Sequence, residues 1–302
     1  MKYQEFVDSI LRKLRSFYGD DATVSINTVV CNNNEIRDAL HIRFTADNGG
    51  ICPSIYLDSL YEEYEEGTHD IEYYVDAVVQ MRKDYEPDNI IKDSVRKLMD
   101  WNSIKDKVYP VLVSQEANDQ FLGHHVYTPF LDLAVIYEVR VSEDKNGIAS
   151  SKVTYSMLNI YGISKTELHQ QALENMKKDG YSMGDLMHQM FGFFADSEEC
   201  EEEEFELEAG KMYILSNKSK RHGAACLLYE DFLKEKFGNR TAFIIPSSIH
   251  ETLFIPVVDG MSTEDLNEMI CQVNEAELRA CERLSNHCYL WDGNEQKVKM
   301  VA

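Results

Sequence analysis

Apolar positions at Phe6, Ile10, Leu14 and Phe17 recur every three or four residues and predict an amphipathic helix over residues 2–18, stopped at Gly19. The period then shortens. Residues 23–30 are rich in β-branched side chains, and Asn32, Asn33 and Asn34 supply turn chemistry. Residues 36–45 alternate Leu40, Ile42 and Phe44 with Arg37, His41 and Arg43, the pattern of a return strand. Residues 51–57, interrupted by Pro53, read as a third short strand. Asp58 and Asp70 are candidate caps of two helices, the second carrying Ile71, Val75, Val78, Val79 and Met81. A further helix is expected over residues 89–100, beyond Pro87.

Apolar periodicity lapses over residues 101–107. A boundary there gives an N-terminal α+β lobe (residues 1–105: helix, small meander, helices) and a C-terminal α+β lobe (residues 106–302). In the second lobe, residues 108–113 predict a strand, 116–125 a short helix and turn, and 130–142 the longest β-branched strand. Lys145, Asn146 and Gly147 form a turn, and residues 151–158 read as the antiparallel partner strand. Ser164 and Glu167 make a capping box that opens a helix with Leu168, Ala172, Leu173 and Met176 inside. Residues 182–194 predict another helix, and the acidic stretch 196–208 a solvated loop. Strands over 211–216, 240–245 and 252–258, helices over 224–236 and from Ser262 or Thr263, and a hairpin over 287–300 complete the chain. Hairpins mixed with helices, without a βαβ array, make the expected class α+β: mixed or antiparallel sheets with packed helices in two loosely separated lobes.

Composition narrows the function classes. Hydrophobic content of 44% with 17 Tyr and 13 Phe marks a chain able to build a core. The net charge of −23 repels polyanions, which argues against general nucleic-acid binding and against anionic membrane surfaces. Nine of the acids lie within residues 196–208, yet the remainder would still stand near −14, so the acidity is distributed. It serves solubility, docks a basic protein partner, or mimics a nucleic acid. Seven cysteines form no C-x-x-C pair and no zinc-like spacing, as expected of free thiols in a reducing compartment. The first 19 residues carry charges throughout and lack an apolar signal-peptide core, and no apolar run approaches a membrane span. The expected location is cytoplasmic.

Four stretches carry a resemblance: PFLDLAVIYEV at 129–139, NIYGISKTELHQQALEN at 159–175, YILSNKSKRHGAACLLY at 213–229, and IIPSSIHETLFIP at 244–256 with QVNEAEL after it. Through them the chain resembles a bacterial domain-of-unknown-function family, found mostly in gut Clostridia and distantly similar to a Bacillus family also of unknown function. The resemblance implies a cytosolic bacterial protein of one shared architecture. It carries over no activity and no catalytic residue.

The densest candidate chemistry is Ser247, Ser248, His250 and Glu251, set between two predicted strands. A serine nucleophile needs a base within hydrogen-bond reach and donors for an oxyanion. Ser248 and His250 are two apart and face one side of an extended segment, whereas Glu251 points away and G-x-S-x-G is absent. The plainer alternative is a turn at Pro246, Ser247 and Ser248 whose hydroxyls bond nearby backbone. Lys218, Lys220, Arg221 and His222 lie on the loop 217–224, which joins a strand to a helix, where a phosphate or carboxylate could dock. That loop lacks the glycines of a P-loop, and local charge balance is its plainer reading.

His124 with His125, and Glu62, Glu63, Glu65 and Glu66, lack metal-ligand spacing, so no metal and no cofactor is expected. Tyr56, Tyr61, Tyr64, Tyr73, Tyr74 and Tyr85 are core packing or a protein interface. The expectation is a binding or interaction module for a small anionic ligand, using Lys218, Lys220, Arg221, His222, Ser247, Ser248 and His250 if the two strand ends adjoin. A hydrolase of an ester or phosphoester is the alternative, with Ser248 as nucleophile, His250 as base and Glu251 beside them. A third reading has residues 196–208 docking a basic protein.

Overall fold

Helix α1 (Tyr3–Tyr18) forms where the apolar period places it, burying Phe6, Val7, Ile10 and Leu14 and ending at Gly19. Burying each of those side chains is worth at most about 2 kcal/mol. The computed structural model describes residues 1–45, 52–67, 69–84, 97–144, 147–188 and 207–301. It divides into two compact units, Met1–Cys31 with Glu35–Met99, and Asn32–Asn34 with Asp100–Ala302.

In the first unit, β1 (Ala22–Val30) and β2 (Ile36–Phe44) pair antiparallel from Ala22↔Phe44 to Val30↔Ile36. β3 (Ile55–Tyr56) extends the sheet by only two residues, shorter than expected, since Pro53 has no N–H to give a ladder. Helices α2 (Asp58–Glu65) and α3 (Ile71–Asp84) close the core, where Leu60, Tyr74, Val75, Val78 and Val79 join the buried face of α1. Asp70 caps α3 as expected, its Oδ1 accepting from Tyr73 N–H at 3.1 Å. Asp58 does not cap α2; its carboxylate pairs with Arg37 instead. Tyr61, Tyr64 and Tyr74 ring the Phe6 side chain, so these tyrosines are core packing. Most of the helix expected over 89–100 lies outside the described residues.

The second unit begins with α4 (Trp101–Ile104), β4 (Val108–Ser114), α5 (Asp119–Leu122), β5 (Tyr127–Phe130), β6 (Leu133–Asp144) and β7 (Gly147–Lys152). β6 is central: β4 lies antiparallel along one edge, and β5 and β7 follow one another along the other. The strand expected over 130–142 is broken by a turn at Leu131 and Asp132, with Leu131 at φ 57°. Every residue from Leu133 to Val139 is buried, Glu138 included. The partner strand is Gly147–Lys152, so the strand expected over 151–158 is corrected: Tyr155–Tyr161 is a helix, α6. Thr154 Oγ1 accepts from Met157 N–H at 3.2 Å and Gly162 closes α6 at φ 66°, so local caps outweigh β-propensity there. Ser164 caps α7 (Lys165–Asp179) as expected, accepting from Glu167 N–H at 3.1 Å. Asn175 ties α7 to the start of β4, its Nδ2 donating to Lys105 O at 2.6 Å and Val108 O at 2.9 Å.

Then follow β8 (Tyr181–Asp185), β9 (Tyr213–Asn217), a 3₁₀ segment at Gly223–Leu228, α8 (Glu230–Phe237), β10 (Ala242–Ile245), β11 (Thr252–Pro256), α9 (Thr263–Glu277), β12 (Tyr289–Asp292) and β13 (Lys297–Met300). They form a six-stranded antiparallel sheet in the order β13-β12-β10-β11-β9-β8. The helix expected from residue 182 is a strand at Tyr181–Asp185, because pairing with β9 and packing of the Tyr181 ring on Phe232 win over local period. Residues 186–188 of that expected helix are helical, while 189–194, and all but the last two residues of 196–208, lie outside the described residues. The single helix expected over 224–236 is split at Tyr229, whose ψ of 69° is not helical. Ser262 caps α9, which packs Leu266 and Ile270 on Phe243, Ile245 and Ile255. The class is α+β, with antiparallel sheets and packed helices.

Candidate functional site

Antiparallel pairing of β9 with β11, with Thr252 opposite Leu215, sets the end of β9 beside the start of β11. The 217–224 loop and residues 246–251 therefore adjoin. Two contacts join them, Ala224 N–H to Ile249 O at 3.3 Å and His222 N–H to His250 Nδ1 at 3.1 Å, and beside the loop Ser216 Oγ of β9 donates to His250 O at 2.8 Å. The two imidazoles also stack, with centroids 5.6 Å apart and planes 8° from parallel.

The loop is tightly drawn. Asn217 Oδ1 accepts from Arg221 N–H and from Ser219 Oγ, each at 3.1 Å, while its Nδ2 donates to Arg221 O at 2.7 Å. Lys220 at φ 52° and His222 at φ 54° both adopt the left-handed region that non-glycine residues rarely visit. Gly223 is required for a different reason. A Cβ there would stand 2.1 Å from Ser216 Oγ and 2.6 Å from both Asn217 N and His250 O.

The His222 ring meets Glu138 of β6, a buried carboxylate only 1% exposed. Glu138 Oε2 accepts from Lys152 Nζ at 2.5 Å and Ser150 Oγ at 3.1 Å, while Oε1 lies 3.2 Å from His222 Nδ1. Burial pushes the Glu138 carboxyl up, but Lys152 and then His222 outweigh it and hold the group well below the usual carboxylate range. Burial is also the first influence on His222; it lowers that imidazole, against the opposing pull of Glu138. A neutral His222 therefore gives its Nδ1–H to Glu138. His250 is lowered by burial too, with Glu282 opposing and Arg221 adding to the effect. Because His250 Nδ1 accepts from a backbone N–H, its neutral ring carries the proton on Nε2. Next to His222 a crevice of about 10 Å³ is lined by Tyr109, Arg140, Asp179, Asn217 and Cys226. That is room for about one water.

Ser248 is 6% exposed; its Oγ accepts from His250 N–H at 3.0 Å, and its own N–H donates to Glu251 O at 3.2 Å. That is the local turn geometry, and the nitrogen of His250 nearest the chain is taken by His222 rather than by Ser248. Ser247 Oγ donates to Glu251 Oε1 at 3.4 Å. Lys218 runs back toward the C-terminus of α7, its Cε 3.2 Å from where a Cβ on Gly180 would stand, a place where a cation complements the helix dipole. Lys220 is exposed and Arg221 half-buried, and among the described residues neither side chain holds an ion pair. His125 stacks on Phe121, its Nδ1 lying 2.7 Å from Phe121 O, and no metal-holding group of His, Cys, Asp and Glu gathers among the described residues.

Sequence reasoning missed Glu138. It lies inside the apolar run Leu133–Val139, where period and propensity register only a strand. The available signal was its charge: an acid within a doubly buried strand requires a partner.

A profile of DUF5688, a family of unknown function, matches residues 3–293. No curated protein and no solved structure matches the chain. Among the described residues no helix is long and apolar enough to cross a membrane.

Proposed function

The chain belongs to the DUF5688 family, and from the chemistry of the 217–224 loop we propose that it is a binding module holding a small anionic group, a phosphate or a carboxylate. The observation that carries this reading is the bond from His222 N–H to His250 Nδ1. It leaves the His250 Nε2–H as a donor, in a corner where Arg221 acts electrostatically on the same ring. Arg221 and Lys220, without ion pairs among the described residues, supply the charge. A guanidinium offers two parallel donors to an oxyanion, which makes Arg221 the principal contact. Glu251 and Glu282 bear on the same imidazole with the opposite sign, so the site favours a compact anion that reaches Arg221 and His250 together over a large polyanion. Six free cysteines among the described residues support a reducing, cytoplasmic setting for the module.

A thermal-shift screen of the purified chain against phosphates, nucleotides and carboxylates tests the reading, with Arg221→Ala and His250→Ala alongside. A ligand at about 100 times its Kd adds about 2.7 kcal/mol, a readily visible rise in midpoint. A rise lost in both variants supports the site. A rise that persists in both places the ligand elsewhere, and no rise with any anion removes the proposal.

A further inference from the structure

We infer that Glu138 is the positioning residue of this corner: it holds the His222 ring so that the His222 backbone N–H meets His250 Nδ1 and keeps the His250 proton on Nε2. The inference rests on the anion-binding reading for its use, while its geometry stands on Glu138, His222 and His250 alone.

His222 occupies a left-handed backbone conformation at φ 54°, which persists only where the surroundings hold it. Two surroundings do so. One is the stack on His250, and the other is Glu138. The carboxylate is itself fixed, because its two oxygens are committed to different partners. Oε2 takes Lys152 and Ser150, and Oε1 takes His222, with Arg140 Nε 3.8 Å away. A group gripped in this way accepts on both sides at once. Neither a glutamine nor a protonated acid can do that, since each has a donor on one side.

This gives a specific expectation for Glu138→Gln. The amide must turn its oxygen toward the Lys152 ammonium, which cannot accept, and so presents its NH₂ to His222 Nδ1. That nitrogen must then give up its proton, and His222 changes from the Nδ1–H to the Nε2–H tautomer. Removing the cation as well reverses the argument. In Glu138→Gln with Lys152→Met, the amide oxygen is free to face His222 Nδ1–H again.

Histidine-ring ¹⁵N spectra of the full chain read the tautomers directly, and titration with inorganic phosphate reads the site. Glu138→Gln is expected to switch His222 to Nε2–H, to disturb the His222 N–H to His250 Nδ1 bond, and to weaken phosphate by about tenfold, the worth of one hydrogen bond to a charged group. The double variant is expected to restore the His222 tautomer and the affinity. A purely structural Glu138 would change the melting midpoint and leave the ring spectra alone. His222 keeping Nδ1–H in Glu138→Gln overturns the inference, and so does a switched His222 beside an undisturbed His250. If the wild-type chain takes up no phosphate, the anion-binding reading fails, and the ring spectra of the variants still decide the role of Glu138. If Glu138→Gln fails to fold, the double variant decides alone: a His222 without Nδ1–H in it overturns the inference.

Discussion

His222 and His250 are joined twice, by a backbone N–H that donates to an imidazole nitrogen at 3.1 Å and by parallel rings 5.6 Å apart. Neither residue lies near the other in sequence. The pairing of β9 with β11 brings them together, and Glu138, from a different sheet, holds one of them.

Gly223 is the tightest point of this junction. Gly223→Ala drives a Cβ into Ser216 Oγ, Asn217 N and His250 O, two of which are backbone and cannot swing aside. A loss of about 3 kcal/mol is expected, read as a lower urea midpoint for the unit containing residues 100–302. An unchanged midpoint would mean that the loop has slack the contacts do not show.

Acid should loosen the same junction. His222 and His250 both titrate below the ordinary value of 6.5, burial being the first cause in each. The unfolded chain therefore takes up these protons near pH 6.5, and the folded chain only at lower pH. The stability they contribute is complete above pH 6.5 and is lost as pH falls through the folded values. His41, His125 and His169, also lowered by burial, act in the same direction. Thermal midpoints are expected to fall between about pH 7 and pH 5, less steeply in His250→Asn. A flat profile across that interval would show that these imidazoles are not held neutral.

The elements legible in sequence include those fixed by neighbours a few residues away. Ser164 and Ser262 cap their helices through the third residue on, and Gly19 stops α1 where the apolar stripe ends. Two elements were misread. Tyr181–Asp185 is a strand because β9 lies beside it, although the sequence reads as a helix from residue 182. Tyr155–Tyr161 turned the other way, since Thr154 and Gly162 outweighed an apparent strand. For the candidate site, the residues on 217–224 and 246–251 could be named from sequence. The contact of Glu138 with His222 could not, because the two lie 84 residues apart and only the folded chain joins them.

The Glu138–Lys152 pair should behave as a buried ion pair does. Glu138→Ala leaves Lys152, 27% exposed, without its carboxylate, and a cost of about 3 kcal/mol is expected. Replacing both by apolar residues of similar size should recover most of that loss. Equal destabilisation by the single and double replacements, read from denaturant midpoints, would contradict the account.

Asp132, at the turn between β5 and β6, gathers three side chains. Its carboxylate accepts from Tyr289 OH at 2.6 Å and Ser285 Oγ at 2.9 Å, and His287 Nδ1 lies 3.1 Å away. Burial, and next the Asp132 charge, push the Tyr289 phenol well above its ordinary range. Asp132→Ala strands a buried phenol and is expected to cost about 2 kcal/mol, whereas Asp132→Asn, which keeps an acceptor, should cost less. Equal losses in the two variants would show that the turn backbone, and not the carboxylate, supplies the stability.

The anion-binding claim is met most directly by amide spectra of the full chain titrated with inorganic phosphate, in the wild type and in Arg221→Ala. The account predicts that Arg221, His222 and His250 shift together along one saturating curve, and that Arg221→Ala abolishes the shifts while the rest of the spectrum stays in place. Stationary resonances at these three residues, or identical shifts in the variant, would contradict it.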